Sequence, residues 1–261
     1  MLSEAKFSDR SYLICEEIKK LGIRHGFTFK TGGKSIGKVE GLNLGFRVGD
    51  LKENVLENYR MVAGDLGLDF NSIVTSKQTH SDNIRIVTNQ DRGKGVTKLS
   101  DIEDTDGLVT CEKNLPLVVF SADCYPVLLA DKEKKAVAAV HSGWRGTKSG
   151  ISGKAAMVMI NEFGVCPENI MVAVGPGIGG CCFETEIDVA EKFEQCYLTE
   201  KGGGKFLIDL PAVIKKTLME NGINEKNIFF SERCTVCEND NFYSYRVHRE
   251  KTGRMGAFIS L

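Results

Sequence analysis

The chain has 261 residues, 42% apolar and 26% charged, with a formal net charge of −1 and a pI of 6.5. Such a chain buries a full core without staples, and its charge excludes the basic field that gathers nucleic acid or acidic membrane surface. Nine cysteines are odd in number in a chain too large to need a disulfide scaffold, so the thiols are expected reduced.

The N-terminal stretch MLSEAKFSDRSYLICEEIKK is laced with charge and has no apolar run of signal-peptide length. Residues 1–23 read as an extension with a helix. No segment approaches the roughly 20 apolar residues that span a bilayer, so a soluble cytoplasmic protein without a membrane partner is expected. Residues 31–45 read as a loop. Asp50, with Glu53 three positions on, suggests a capping box before a helix in LKENVLENYRMVAGDLG. Strands are expected around Val74 and over 84–87, with a loop over 91–104. LPLVVFSAD, YPVLLAD and KAVAAVH are apolar runs of the kind covered on both faces. Ile151, Ala155, Met159 and Ile160 lie near helical spacing, and Gly164 is placed to end that helix. IMVAVG reads as a further strand and 201–205 as a loop. Asp209 is placed to cap a helix over 210–221 with Pro211 in its first turn, and GAFISL closes the chain as a strand. With no repeat and no Pro-rich linker, the expectation is an α+β protein: a single compact domain over 1–261, with a mixed β-sheet core flanked by helices.

Of the four histidines, His80 lies in SKQTHSDN between two expected strands, and His141 ends KAVAAVH at the turn HSGWRGT. Cys124 lies in SADCYP, at the break between two apolar runs. Strand ends can hold polar groups at one rim. Two imidazoles and a thiolate suit zinc, and three protein ligands leave the open position of a catalytic site. Asp123 and Gln78 are neighbours able to orient ligands or substrate. A metal-free pair is equally compatible, with His141 lowering the Cys124 thiol and Cys124 acting as a nucleophile. His25 and His248 read as structural or surface residues, and Trp144 as packing under the site. Cys181, Cys182, Cys234 and Cys237 include one CxxC and read as buried or loop thiols rather than a structural metal site.

The segments KQTHSDN, TDGLVT, ADCYPVLLAD, AVHSGWRGT, GPGIGGCCFE and FYSYRVHREKTGRMGAFIS resemble, in order, those of the YfiH family, also called the polyphenol oxidoreductase laccase family. RHGFTFKTGG and GLNLGFRVGD fit its N-terminal pattern, so the likeness runs from about residue 24 to 261. The resemblance implies a compact mixed fold related to a toxin-like cysteine hydrolase fold. It also implies a zinc site on His80, Cys124 and His141, with copper as an alternative. The implied activity is phosphorolysis of adenosine, inosine, guanosine and methylthioadenosine, together with adenosine deamination. Phe183 and Thr185 replace a usual Tyr and Val, and Val247 stands where a second Arg is common; these departures bear on substrate contacts and not on the metal.

Phosphorolysis needs arginine and backbone N–H donors for phosphate. Arg47 in GFRVGD is the first candidate, followed by Arg145 and Arg246, while Asn43 and Gln78 are candidates for the base or ribose. GPGIGG allows close backbone approach but lacks the dinucleotide-binding layout. The competing expectations are a cysteine hydrolase or amidase acting through Cys124 and His141, with peptidoglycan precursors as candidate substrates, and a copper-dependent phenol oxidase side activity. The partners expected are purine nucleosides and phosphate, with the chain a monomer.

Overall fold

The computed structural model of the chain describes residues 2–261. It opens with an antiparallel hairpin, β1 (Leu2–Phe7) and β2 (Arg10–Cys15), followed by the helix α1 (Glu16–Lys20) and strand β3 (Arg24–Thr28). The helix expected within residues 1–23 is therefore a single short turn, and most of that stretch is sheet; residue 1 lies outside the described residues. Next come α2 (Lys52–Leu66), β4 (Val74–Thr75) and β5 (Ile84–Ile86). The apolar middle of the sequence forms β6 (Gly107–Thr110), β7 (Leu117–Ser121), β8 (Tyr125–Asp131) and β9 (Val137–Ser142). Helices α3 (Trp144–Lys148) and α4 (Ile151–Phe163) lead to β10 (Ile170–Val174). The last third carries β11 (Glu184–Glu186), α5 (Ile187–Ala190), β12 (Leu198–Gly202), β13 (Lys205–Ile208) and α6 (Leu210–Glu220). It ends with β14 (Ile228–Phe230), α7 (Tyr245–His248) and β15 (Met255–Ser260).

Two six-stranded sheets carry the fold, ordered β1-β2-β3-β15-β7-β4 and β14-β10-β8-β9-β6-β5. Both are mixed: β4 runs parallel to β7, β5 to β6 and β14 to β10, while the other neighbours are antiparallel. A three-stranded antiparallel sheet of β11, β13 and β12 stands apart.

Alternation along the strands sorts the molecule into layers. On β15, Ala257 and Ile259 face the same core as Leu128 and Ala130 of β8, so the two large sheets pack face to face. Phe258 turns the other way, against Val55, Tyr59 and Val62 of α2. Val127 and Leu129 of β8 turn outward against Ala155 and Met159 of α4 and Ile214 and Leu218 of α6. Strands β6, β8, β9 and β10 are buried along their whole length, which explains their unbroken apolar runs.

The helix ends follow local chemistry. Gly67 and Gly164, left-handed at φ 65° and 61°, terminate α2 and α4, a conformation glycine adopts without a steric penalty. Asp209 caps α6 by accepting from the Ala212 N–H at 3.1 Å. Asp50 does not cap α2, because Leu51 occupies the cap position without a side-chain bond. The Asp50 carboxylate instead accepts from Ser35, Asn43 and its neighbour's N–H.

The connectivity prepares a site. The chain crosses from the first large sheet to the second between β4 and β5, and again between β7 and β8. His80 and Cys124 lie on those two crossings and His141 is near the end of β9.

Leu128 is fully buried in the core between the sheets. Leu128→Ala is expected to cost about 2–5 kcal/mol, seen in equilibrium urea unfolding as a lower midpoint with an unchanged slope.

Candidate functional site

Asp106, just ahead of β6, has no exposure to solvent. A carboxylate removed from water keeps its charge only if donors replace its hydration. The backbone N–H groups of Thr79, His80 and Ser81 donate to it at 3.0, 3.1 and 2.9 Å. The Ser81 hydroxyl donates at 2.8 Å and His141 Nδ1 at 2.7 Å. Burial alone would raise this carboxyl, but His141 and the other donors outweigh it and bring Asp106 down to about 2.

Two of the candidate ligands, His80 and His141, are placed by this one group. Three successive N–H groups converging on one carboxylate bend 79–81 into a tight loop, with His80 in the left-handed region at φ 64°. His141 gives its Nδ1–H to Asp106, so Nε2 is the nitrogen left to bind, an arrangement found in metal-ligating histidines. Its main chain is held as well, since the His141 N–H donates to the Asp106 carbonyl at 2.7 Å.

Cys124 is positioned from the other side. Its neighbour Asp123 is also left-handed, at φ 87°, and does not face the ligands. The Asp123 carboxylate accepts from the Thr235 hydroxyl and from the Arg246 N–H, both at 2.6 Å. That clasp fixes the turn between β7 and β8 from which Cys124 projects.

The donor atoms of His80, Cys124 and His141 lie within 4.8 Å of one another. The two imidazole rings cross at 76° with centroids 5.0 Å apart. Gly143 lies against all three side chains: a Cβ there would stand 2.8 Å from His80 Cδ2, 3.2 Å from Cys124 Sγ and 3.7 Å from His141 Cε1. The HSGW turn therefore needs glycine for space. Burial pushes the Cys124 thiol up, but the charge and hydrogen bonds of the imidazoles outweigh it and bring it down to about 6. Burial lowers His141, yet Cys124 and Asp106 carry it up to about 9.

Two imidazoles and a thiolate suit a tetrahedral ion. Bonds of about 2.0–2.1 Å to nitrogen and about 2.3 Å to sulfur set such donors roughly 3.4–3.6 Å apart. Donors within 4.8 Å of one another are compatible with that spacing, and three protein ligands would leave a fourth vertex for water or substrate.

These residues line a cleft of about 1050 Å³, at the upper end of small-molecule sites. Phe46, Val96, Phe120, Ile178 and Phe183 make its apolar wall. Arg47, Lys52, Lys77, Lys98, Arg246 and Arg254 outnumber the acids Asp123 and Glu103. Lys77 pairs with Glu103 at 2.6 Å, while Arg47, Lys52 and Lys98 have no carboxylate partner among the described residues.

Of the residues singled out from sequence, Arg47 is exposed and lines the cleft. Gln78 also lines it, but its carboxamide is committed to β7: it donates to the Phe120 carbonyl at 2.9 Å and accepts from the Phe120 N–H at 2.7 Å. Asn43 is fully buried and outside the cleft. Its oxygen accepts from the Gly45 and Arg254 N–H groups and its nitrogen donates to Gly45 and Asp50, so its polar capacity is spent inside the protein. Arg145 lies outside the cleft lining, with its guanidinium 4.2 Å from the centre of the Trp144 ring. Arg246 lines the cleft, but its head donates to the carbonyls of Cys182 and Glu184. His25 is structural, accepting from the Cys15 N–H at 2.9 Å, and His248 is exposed on α7.

Sequence reasoning missed Asp106, Gly143 and Arg254. Burial draws the Arg254 guanidinium below its ordinary value, against the opposing charges of Cys124 and Asp123. Its stem passes over Gly45, where a Cβ would come within 2.7 Å of Arg254 Cγ. The only advance signals were the last acid of the run DIEDTDG, ahead of an apolar stretch, and an arginine beside glycine.

The family model described as multi-copper polyphenol oxidoreductase laccase matches residues 24–261. The chain is 34% identical over 258 residues to the purine nucleoside phosphorylase YlmD of Geobacillus stearothermophilus, across 96% of this chain and 94% of the relative. It is 32% identical over 222 residues to the adenosine deaminase RL5 of an unknown prokaryotic organism, across 82% and 84% of the two chains. The crystal structure of the Bacillus licheniformis hypothetical protein YfiH superposes with a TM-score of 0.91 at 35% identity, over 96% of both chains.

Asp106→Asn removes the charge that holds His141 and the 79–81 loop. Zinc affinity measured by competition with a chromophoric chelator is expected to fall about 10- to 100-fold, with far-ultraviolet circular dichroism unchanged.

Proposed function

The chain belongs to the multi-copper polyphenol oxidoreductase laccase family, the YfiH family, and on that footing we propose that it is a zinc-dependent purine nucleoside phosphorylase with adenosine deaminase activity. One observation carries the proposal: two imidazoles and a thiol meet in a cleft whose charged lining is mostly cationic. The expected substrates are adenosine, inosine, guanosine and methylthioadenosine, with phosphate as co-substrate.

His80, Cys124 and His141 would hold the zinc ion, which when bound would supply the Lewis acidity that deamination of adenosine requires. Asp106 keeps His141 in the tautomer that offers Nε2. For phosphorolysis, an oxygen of phosphate bonds to ribose C1′ while the bond from C1′ to the purine nitrogen breaks, its electron pair leaving with the base. Arg47, Lys52 and Lys98 hold the phosphate, and Arg47 offers the fork that a phosphate accepts in pairs. The apolar wall of Phe120, Ile178 and Phe183 seats the purine and limits water at C1′.

Copper is the alternative ion, since copper(II) binds nitrogen ligands more strongly than zinc does. His25 is committed to the backbone and His248 lies on α7. Only two of the four imidazoles are at the site, which supports zinc as the working metal and leaves phenol oxidation as a side activity. Nine unpaired thiols support a reducing cytoplasmic setting, and the chain is taken as a monomer.

A second reading has its own observation. Asp106, His141 and Cys124 stand in line as carboxylate, imidazole and thiol, the order a cysteine hydrolase uses. This is also what a relation to the toxin-like cysteine hydrolase fold would require. Amide hydrolysis that survives chelation, with Cys124 trapped by iodoacetamide, would establish this reading in place of the first.

Free base should be released from adenosine or inosine only when phosphate is present, followed by chromatography, and His80→Ala should lose both phosphorolysis and deamination. Release that ignores phosphate would overturn the phosphorylase assignment. Arg47→Ala deletes one charge-assisted contact of about 1.5–3 kcal/mol. The KM for phosphate should therefore rise about 10- to 100-fold, with less change in the KM for nucleoside.

A further inference from the structure

Cys181 and Cys182 lie in the turn after β10, and Cys234 and Cys237 lie in the turns between β14 and α7. From sequence they read as separate thiols. The structure gathers all four, with their Sγ atoms within 4.8 Å of one another. Cys181 Sγ is 3.6 Å from Cys182 Sγ and 3.7 Å from Cys237 Sγ, and Cys182 Sγ is 3.5 Å from Cys237 Sγ.

Those separations are chemically informative. A tetrahedron with metal–sulfur bonds of about 2.3 Å has sulfur–sulfur edges of about 3.8 Å, whereas a disulfide has about 2.05 Å. The three spacings match the first and not the second. The objection that chain neighbours seldom share an ion is met by the local turn. The N–H groups of Cys182 and Phe183 both donate to the Gly179 carbonyl at 2.9 Å, and this tight turn sets the two thiols side by side.

A backbone donor and a glycine frame the cluster. The Gly179 N–H donates to Cys234 Sγ at 3.3 Å. Gly179 also makes room: a Cβ there would stand 3.1 Å from Cys181 Sγ and 3.5 Å from Cys234 Sγ. We propose that Cys181, Cys182, Cys234 and Cys237 form a second metal site, a structural tetrathiolate for a zinc-class ion, separate from the centre on His80, Cys124 and His141.

The site has a structural task on the page. It staples the 175–183 segment, which brings Ile178 and Phe183 to the cleft, to the 234–237 turn. The same turn supplies Thr235 to the clasp on Asp123, beside Cys124. Arg246, the other half of that clasp, donates to the Cys182 carbonyl. The ion would hold one wall of the cleft and one side of the Cys124 turn in register. The inference does not depend on the nucleoside reading.

Native mass spectrometry of the tag-free protein, purified in reducing buffer with zinc, tests it. Two zinc ions per chain are expected, falling to one in Cys234→Ser/Cys237→Ser and to one in Cys124→Ser. A single ion in the wild type, or two retained by the double variant, overturns the second site. If the double variant does not fold, the wild type decides by alkylation with N-ethylmaleimide and peptide mapping. Cys181 and Cys237 are as exposed by class as Cys111, Cys166 and Cys196, yet they should remain unmodified until zinc is stripped. Reaction as fast as that of Cys111, or protection accompanied by the mass loss of disulfides, overturns the proposal.

Discussion

A buried negative charge at Asp106 is the constraint from which the site follows. Its carboxylate has no water, so every donor it receives must come from the protein, and those donors belong to the residues that matter for chemistry. By attracting the N–H groups of 79–81 it forms the loop that carries His80. By taking Nδ1–H of His141 it decides which imidazole nitrogen is left free. A loop and a strand end with no covalent relation are set by one group, and the left-handed backbone of His80 is the local cost.

The opposite wall obeys the same logic with different parts. Asp123 spends its carboxylate on Thr235 and Arg246, so a second left-handed acid fixes Cys124 by reaching more than a hundred residues along the chain. Gln78, Asn43 and Arg246 had the polar chemistry of substrate contacts, but the structure turns each of them inward onto backbone. Buried backbone groups at a site rich in loops demand partners, and these side chains supply them. The cations left without such duties, Arg47, Lys52 and Lys98, are the ones facing open space.

This division marks what could be read from the sequence. Strands β8, β9 and β10 were legible because burial on both faces leaves unbroken apolar runs. The end of α4 was legible because glycine alone takes the left-handed turn cheaply. The hairpin of β1 and β2 was not, since its first strand is half exposed and carries charge rather than apolar alternation. His80, Cys124 and His141 drew notice as metal-binding residue types at strand ends, and the resemblance of long motifs joined them into one set; spacing says nothing about which loops meet. Asp106 stayed hidden because its value lies in five-way acceptance, which depends on tertiary approach. The four cysteines stayed hidden for the same reason, two short turns separated by more than fifty residues.

The pairing of the strands has a bearing on how robust the trio is. β8 pairs with β9, which sets Cys124 beside His141, and Asp106 ahead of β6 in the same sheet holds the His80 loop. All three side chains therefore converge on the second sheet. The first sheet contributes the wall opposite them, through Phe120 of β7. A change that loosened the docking of the two layers would deform the cleft before it scattered the trio.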